Sequence, residues 1–224
     1  SAFPGAGILA ATGAVRATPS MVRVVGNDSV TTSLPEVVPH ASAQEKVHAQ
    51  AWVIGPGRGT DPEAAAELRA VLKRGLPTII DADALTVLST YGDLRELVRD
   101  HPCAVLTPHS GEFERLYKAT LGRELDLSEG LEICLQELAS ALDCFVLHKG
   151  RITTVTGPGQ DIYGMNAGHS YAATAGSGDV LSGILGATLA QLDIVEVSAE
   201  TIIMEILHAV AIHQHAAAIA AHTP

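Results

Sequence analysis

Five short apolar runs, most of them leading into a stretch with helical spacing, constrain this chain more than any other feature. "MVRVV" (21–25), "AWVIG" (51–55), "PTIIDAD" (77–83), "CAVLTPH" (103–109) and "CFVLHKG" (144–150) each read as a buried strand running into a turn. Helical patterns occupy 6–17, 63–74, 111–120 and 128–142. Runs that are apolar throughout suit strands covered on both faces. The alternation therefore predicts an α/β fold with a mostly parallel sheet and helices on both sides. "RITTVTG" and "QDIYGMN" then predict a short antiparallel pair, and helices are expected over 178–191 and 198–221. Residues 27–48 read as a polar, loop-like excursion. Nothing marks a domain boundary, so 1–224 reads as one domain.

Composition narrows the partners. A formal net charge of −11 argues against nucleic-acid backbones and anionic membranes. It leaves phosphate ligands open, because a helix N-terminus can hold an anion on an acidic protein. Cys103, Cys134 and Cys144 have no metal-like spacing and read as reduced, buried thiols, which suits the cytoplasm. No segment is expected to reach the apolar length of a membrane span, and the opening "SAFPGAGILAATG" lacks the basic flank of a signal peptide.

Ligands of open parallel sheets bind beyond the carboxyl ends of the strands. Here those ends read "GPGRG", "DADAL", "TPHSGE" and "HKG". Further on, "TAGSGDVLSGI" sets Gly176, Ser177 and Gly178 before Asp179 at the mouth of an apolar helix. Glycine lets the backbone approach a ligand, and first-turn N–H groups face it with the helix dipole behind them. These three residues are expected to form an anion hole, with Asp179 as a base beside it. The plainer reading is that Ser177 or Asp179 caps the helix. In "GPGRG", Pro56 has no N–H to offer a pyrophosphate, which disfavours a dinucleotide turn. Asp83 is expected to cap a helix over 84–88 as readily as to act in chemistry. Glu112 is expected to cap the next helix or hold a metal-bound water. His109 suits a ligand contact, and Lys149 a phosphate. His208, His213, His215 and His222 read as surface or interface residues.

"GPG", "DADAL", "TPHSGE", "HKG" and "TAGSGDVLSGI", in this order, resemble the ADP- or ATP-dependent NAD(P)H-hydrate dehydratases of the ribokinase-like superfamily, over nearly the whole chain. The resemblance implies a three-layer α/β/α sandwich with a mostly parallel central sheet. It implies repair of NADHX and NADPHX, the hydrated forms of NADH and NADPH, with ADP (or ATP) as co-substrate and Mg²⁺ present. Asp179 would be the base. Ala6, Gly55, Gly57 and His109 would contact the hydrate, and Lys149, Gly150, Arg151, Ile152, Thr153 and Gly178 the nucleotide. Asn166 resembles an asparagine that precedes the glycine motif in relatives. The metal ligands stay unassigned. A cytoplasmic homo-oligomer, a tetramer in many relatives, is expected. Relatives carry another strand and a glycine turn before "PGA" and run beyond the end seen here. Gly7 and His148 stand where many of them carry alanine and leucine.

Three other readings share some of these residues. A vitamin or sugar kinase of the same superfamily would use Asp179 and the anion hole but release a phosphorylated product. A nucleotide-binding module would gain little from Asp179. A dinucleotide dehydrogenase fits Pro56 poorly.

Overall fold

The structure is a computed structural model that describes residues 3–18, 20–26, 29–43, 47–128 and 130–222. In chain order the elements are α1 (Pro4–Ala17), β1 (Arg23–Val25), α2 (Val30–Ser33), β2 (Val38–His40), β3 (Trp52–Ile54), α3 (Pro62–Leu72), β4 (Thr78–Ile80), α4 (Asp83–Thr90) and α5 (Gly92–Arg99). They continue with β5 (Ala104–Leu106), α6 (Ser110–Leu121), α7 (Leu131–Leu142), β6 (Phe145–His148), β7 (Thr153–Thr156), β8 (Tyr163–Met165), α8 (Ser177–Leu189) and α9 (Ala199–His222).

The main sheet runs β3-β4-β5-β6-β7-β8 in spatial order. β3 to β6 pair in parallel, and β7 and β8 add an antiparallel edge. A parallel series advancing in one direction puts its crossover helices on one face, because such crossovers share a hand. Accordingly Ile80, Leu106 and Val146 point into a core shared with α3 to α7. Ile79, Val105, Phe145 and Leu147 point into a second core with α8 and α9. Every strand residue of β4, β5 and β6 is buried, as their unbroken apolar runs require. This is the expected three-layer α/β/α sandwich.

The polar excursion is more ordered than its composition suggests. It contains α2 and β2, and β2 pairs with β1 in a separate parallel two-stranded sheet. A cavity of about 670 Å³ lies between β1 and β3, lined also by α1 and α8.

α1 lies along α8 at backbone contact. A methyl group on Gly183 would sit 1.9 Å from the Ala10 carbonyl oxygen, and one on Gly13 would sit 2.3 Å from that of Val180. α9 departs from expectation, being long and apolar enough by composition to cross a membrane. In this fold Ile202, Ile203, Ile206, Ala209 and Val210 of α9 are buried in the second core. The three cysteines are free thiols and buried. Burial pushes the Cys103 thiol up to about 12 and raises those of Cys134 and Cys144.

Candidate active site

Strand-end residues meet the first turn of α8 because β4, β5 and β6 end side by side. Gly55, just past β3, has φ of 121°, and a Cβ there would lie 1.8 Å from the Asp81 carbonyl oxygen. Only glycine lets these two turns pass so closely. Gly57 is as tightly set against the start of α1: a Cβ would fall 3.1 Å from that of Ala6. Phe3 donates its N–H to the Gly57 carbonyl at 3.1 Å. Gly57 thus packs against the start of α1 at Ala6, and Gly55 against the turn after β4.

Asp81 is the buried hub. Its side chain is 1% exposed. Oδ1 accepts from Lys149 Nζ at 2.6 Å and from the Ala82 N–H at 2.8 Å, and Oδ2 accepts from Ser182 Oγ at 2.5 Å. A buried carboxylate persists where charge and lone pairs are matched in this way. Ala82 has φ of 47°, a strained value for a residue with a side chain. The turn sends Asp83 elsewhere: its Oδ2 accepts the Gly59 N–H at 2.8 Å and ties the end of β4 to the β3 turn. Asp83 opens α4 without the capping bond expected of it; the N-cap position is Ala82.

Lys149 follows β6 and lies across the mouth of α8. A Cβ on Gly178 would be 3.4 Å from its Nζ. Gly150, Arg151 and Ile152 form the turn beyond it, with Arg151 and Ile152 exposed, and Thr153 opens β7. The nucleotide set implied by the motif, Lys149 to Thr153 with Gly178, is therefore contiguous in space at Lys149 and Gly178. His148 is buried beneath this turn, with Nε2 3.3 Å from Ser110 Oγ. Burial, then the neighbouring His109, holds its imidazole below the usual histidine range.

Asp179 sits in the first turn of α8. Its carboxyl is raised from 3.8 to about 6, first by desolvation and then by Asp81, with Asp83 and Glu112 adding to the rise and Lys149 opposing it. A carboxylate poised near neutrality is matched to taking a proton from a hydroxyl.

The first turn of α8, where an anion hole is expected, presents its N–H groups unequally. The Ser177 N–H is turned to the Thr174 carbonyl at 3.2 Å. The N–H groups of Gly178 and Asp179 have no acceptor among the described residues. Gly176, the N-cap, has φ of 84° and carries the chain into the helix without a side-chain cap. The capping reading for Ser177 fails here: its Oγ lies 2.9 Å from His213 Nε2. His213 is thus a half-buried partner of the site and not a surface residue.

His109 and Glu112 cap α6 reciprocally. Glu112 Oε2 accepts the His109 N–H at 2.9 Å, and His109 Nδ1 accepts the Gly111 N–H at 3.1 Å. His109 also lies beside Lys149 through a parallel bridge. Asn166 Oδ1 accepts the Gly168 N–H at 2.9 Å and shapes the loop that enters α8. Asp81 as a hub, Ser182 and His213 were not assigned from sequence. Only the strand-end position of Asp81 carried a signal. Among the described residues no three His, Cys, Asp or Glu side chains converge on a metal position. The cavity beside β3 touches this region only at its rim, through Gly55 and Pro56.

A ribokinase-like superfamily protein from Enterococcus faecalis superposes on 94% of this chain with a TM-score of 0.75 at 25% identity, covering 72% of that protein. An ADP/ATP-dependent NAD(P)H-hydrate dehydratase from Bacillus subtilis, co-crystallised with ATP and Mg²⁺, superposes on 99% of it with a TM-score of 0.77 at 25% identity, covering 82% of that protein. Fold and strand-end site therefore define a ribokinase-like protein. The family model described as NAD(P)H-hydrate dehydratase matches residues 1–223, and the chain belongs to that family. It is 43% identical to the bifunctional NAD(P)H-hydrate repair enzyme of Corynebacterium glutamicum, over 99% of this chain and 41% of that protein. It is 35% identical to the ADP-dependent (S)-NAD(P)H-hydrate dehydratase of Neisseria meningitidis serogroup B, over 73% of this chain and 55% of that protein. The chain thus spans about half the length of these relatives or less.

Proposed function

We propose that this chain dehydrates NADHX and NADPHX to NADH and NADPH at the expense of ADP, releasing AMP and phosphate. The observation that carries the reading is the half-buried Asp179 at the first turn of α8, beside Lys149. Asp179 takes the proton of the hydrate's ring hydroxyl, and the alkoxide attacks the β-phosphorus of ADP. The bond from that phosphorus to the AMP oxygen breaks. The N–H groups of Gly178 and Asp179 receive the phosphoryl oxygens, with Lys149 as their counter-charge. Asp81 aims Lys149. In the second step the C–O bond to phosphate breaks and the adjacent ring carbon loses its proton, restoring the ring double bond.

Ala6, Gly55, Gly57 and His109 form the hydrate side of the site in this reading. The residues from Lys149 to Thr153 form the nucleotide side. His109 Nδ1 accepts the Gly111 N–H, and its Nε2, 3.5 Å from Glu112 Oε1, is the ring nitrogen left to face the hydrate. Mg²⁺ would enter with the diphosphate, because among the described residues the side chains alone form no cage for it. A cytoplasmic homotetramer is carried by resemblance to the family.

The test incubates the protein with NADHX, Mg²⁺ and ADP, ATP or no nucleotide, and follows recovery of reduced-nicotinamide absorbance. Recovery with ADP that D179N abolishes is expected. A folded protein that binds ADP but restores no absorbance with either nucleotide overturns the reading. A stable phosphorylated product would point to a small-molecule kinase instead.

A further inference from the structure

A serine in the first turn of a helix, as Ser177 is after the N-cap Gly176, can turn its hydroxyl onto a nearby backbone N–H two residues on. In α8 that N–H is among those an incoming phosphate must meet. Ser177 does not make that bond. Its Oγ points away to His213 Nε2 at 2.9 Å, across 36 residues of sequence. His213 stands on the outer half of α9, and that half meets the loop before α8 a second time. The rings of His222 and Tyr171 are edge to face, with centroids 5.6 Å apart.

We propose that His213 is a positioning residue that latches the Ser177 hydroxyl away from the mouth of α8, so that the first-turn N–H groups stay available to the phosphates of the nucleotide. Burial holds the His213 imidazole below the usual histidine range, so at neutral pH it acts as a hydrogen-bond partner and not as a counter-charge. The latch acts through Ser177 and touches no reacting atom. This inference rests on the reading of α8 as the phosphate site.

A latch and a mere packing contact differ in their epistasis. If His213 only restrains Ser177, removing the serine hydroxyl makes the histidine dispensable. The experiment measures ADP affinity by calorimetry for wild type, H213F, S177A and the double variant, with melting temperatures beside each. H213F keeps the ring's bulk and drops its nitrogen atoms. H213F is expected to bind ADP about 5- to 10-fold more weakly than wild type, and the double variant is expected to bind as S177A does. H213Q, which keeps a hydrogen-bonding group, is expected to recover part of the loss. Wild-type affinity in H213F overturns the proposal, and so does a double variant as weak as H213F. A wild type without measurable ADP affinity brings down the nucleotide reading itself and the latch with it. Turnover of NADHX serves as a separate readout, so a protein that binds ADP but restores no NADH separates failure of the dehydratase reading from failure of the latch.

Discussion

The two halves of α8 use glycine for opposite ends. In the first turn, the absent Cβ of Gly178 would meet only the flexible end of Lys149, 3.4 Å away, and Gly176 supplies the positive φ that starts the helix, its own absent Cβ falling 2.3 Å from Leu9 Cδ1. One turn later Gly183 lies 1.9 Å, by the position of its absent Cβ, from the Ala10 carbonyl oxygen, and Gly186 is similarly close to Val53. Here small residues let α1 and β3 close on the helix. In the proposed function, Gly178 serves the ligand end, whereas Gly183 and Gly186 serve packing. The difference lies in what each missing side chain would meet.

That contrast can be broken by substitution. D179N should show the largest effect, a loss of about a thousandfold or more in kcat with the fold intact. Its stability should move the other way. Asp179 holds its proton more tightly in the fold, near 6 against an ordinary 3.8, so its ionisation lowers stability as pH rises through that window. D179N should therefore melt above wild type at pH 7 and approach it near pH 4. The activity of wild type should fall as pH drops through about 6, read as the acid limb of kcat/KM. K149M comes next, with an expected rise of roughly 10- to 100-fold in the nucleotide KM, from loss of a charge-assisted contact.

G183A against G178A sharpens the comparison directly. A methyl at Gly183 meets backbone atoms that cannot swing away, so about 3 kcal/mol and roughly 10 °C in Tm should be lost. At Gly178 the nearest atom is the flexible end of Lys149, 3.4 Å away. G178A should melt within a few degrees of wild type and weaken ADP severalfold. Equal melting temperatures for the two variants would erase the distinction between the halves. The smallest effect belongs to D81N, read in the pH profile. Loss of the Asp81 charge should move the acid limb set by Asp179 to lower pH.

The sequence showed the sandwich because β4, β5 and β6 are buried on both faces and had to be apolar throughout. It also placed Gly176, Ser177, Gly178 and Asp179 at the start of an apolar helix, where the structure has them. α5 escaped notice: its eight residues are mostly polar on one side, and only Leu94 and Val98 are buried. The excursion hid β2, whose three partly exposed residues carry little pattern, and β1, expected as a buried strand, is half-buried in the separate pair with β2. Ser182 and His213 were beyond reach for a different reason. Their partners lie 101 and 36 residues away, and nothing local to either residue encodes the contact. Asp83 misled because its helix-start position is that of a cap, while tertiary structure gave it the Gly59 N–H.

The buried thiols divide the molecule in a useful way. Cys103 lies in the core under α8 and α9, whereas Cys134 and Cys144 lie in the core on the opposite face of the sheet. Each reacts with an alkylating probe only when its own layer opens, so labelling rates time the two faces separately. Comparing those rates with and without ADP would reveal whether a nucleotide braces the α8 layer alone or slows breathing across the whole sandwich.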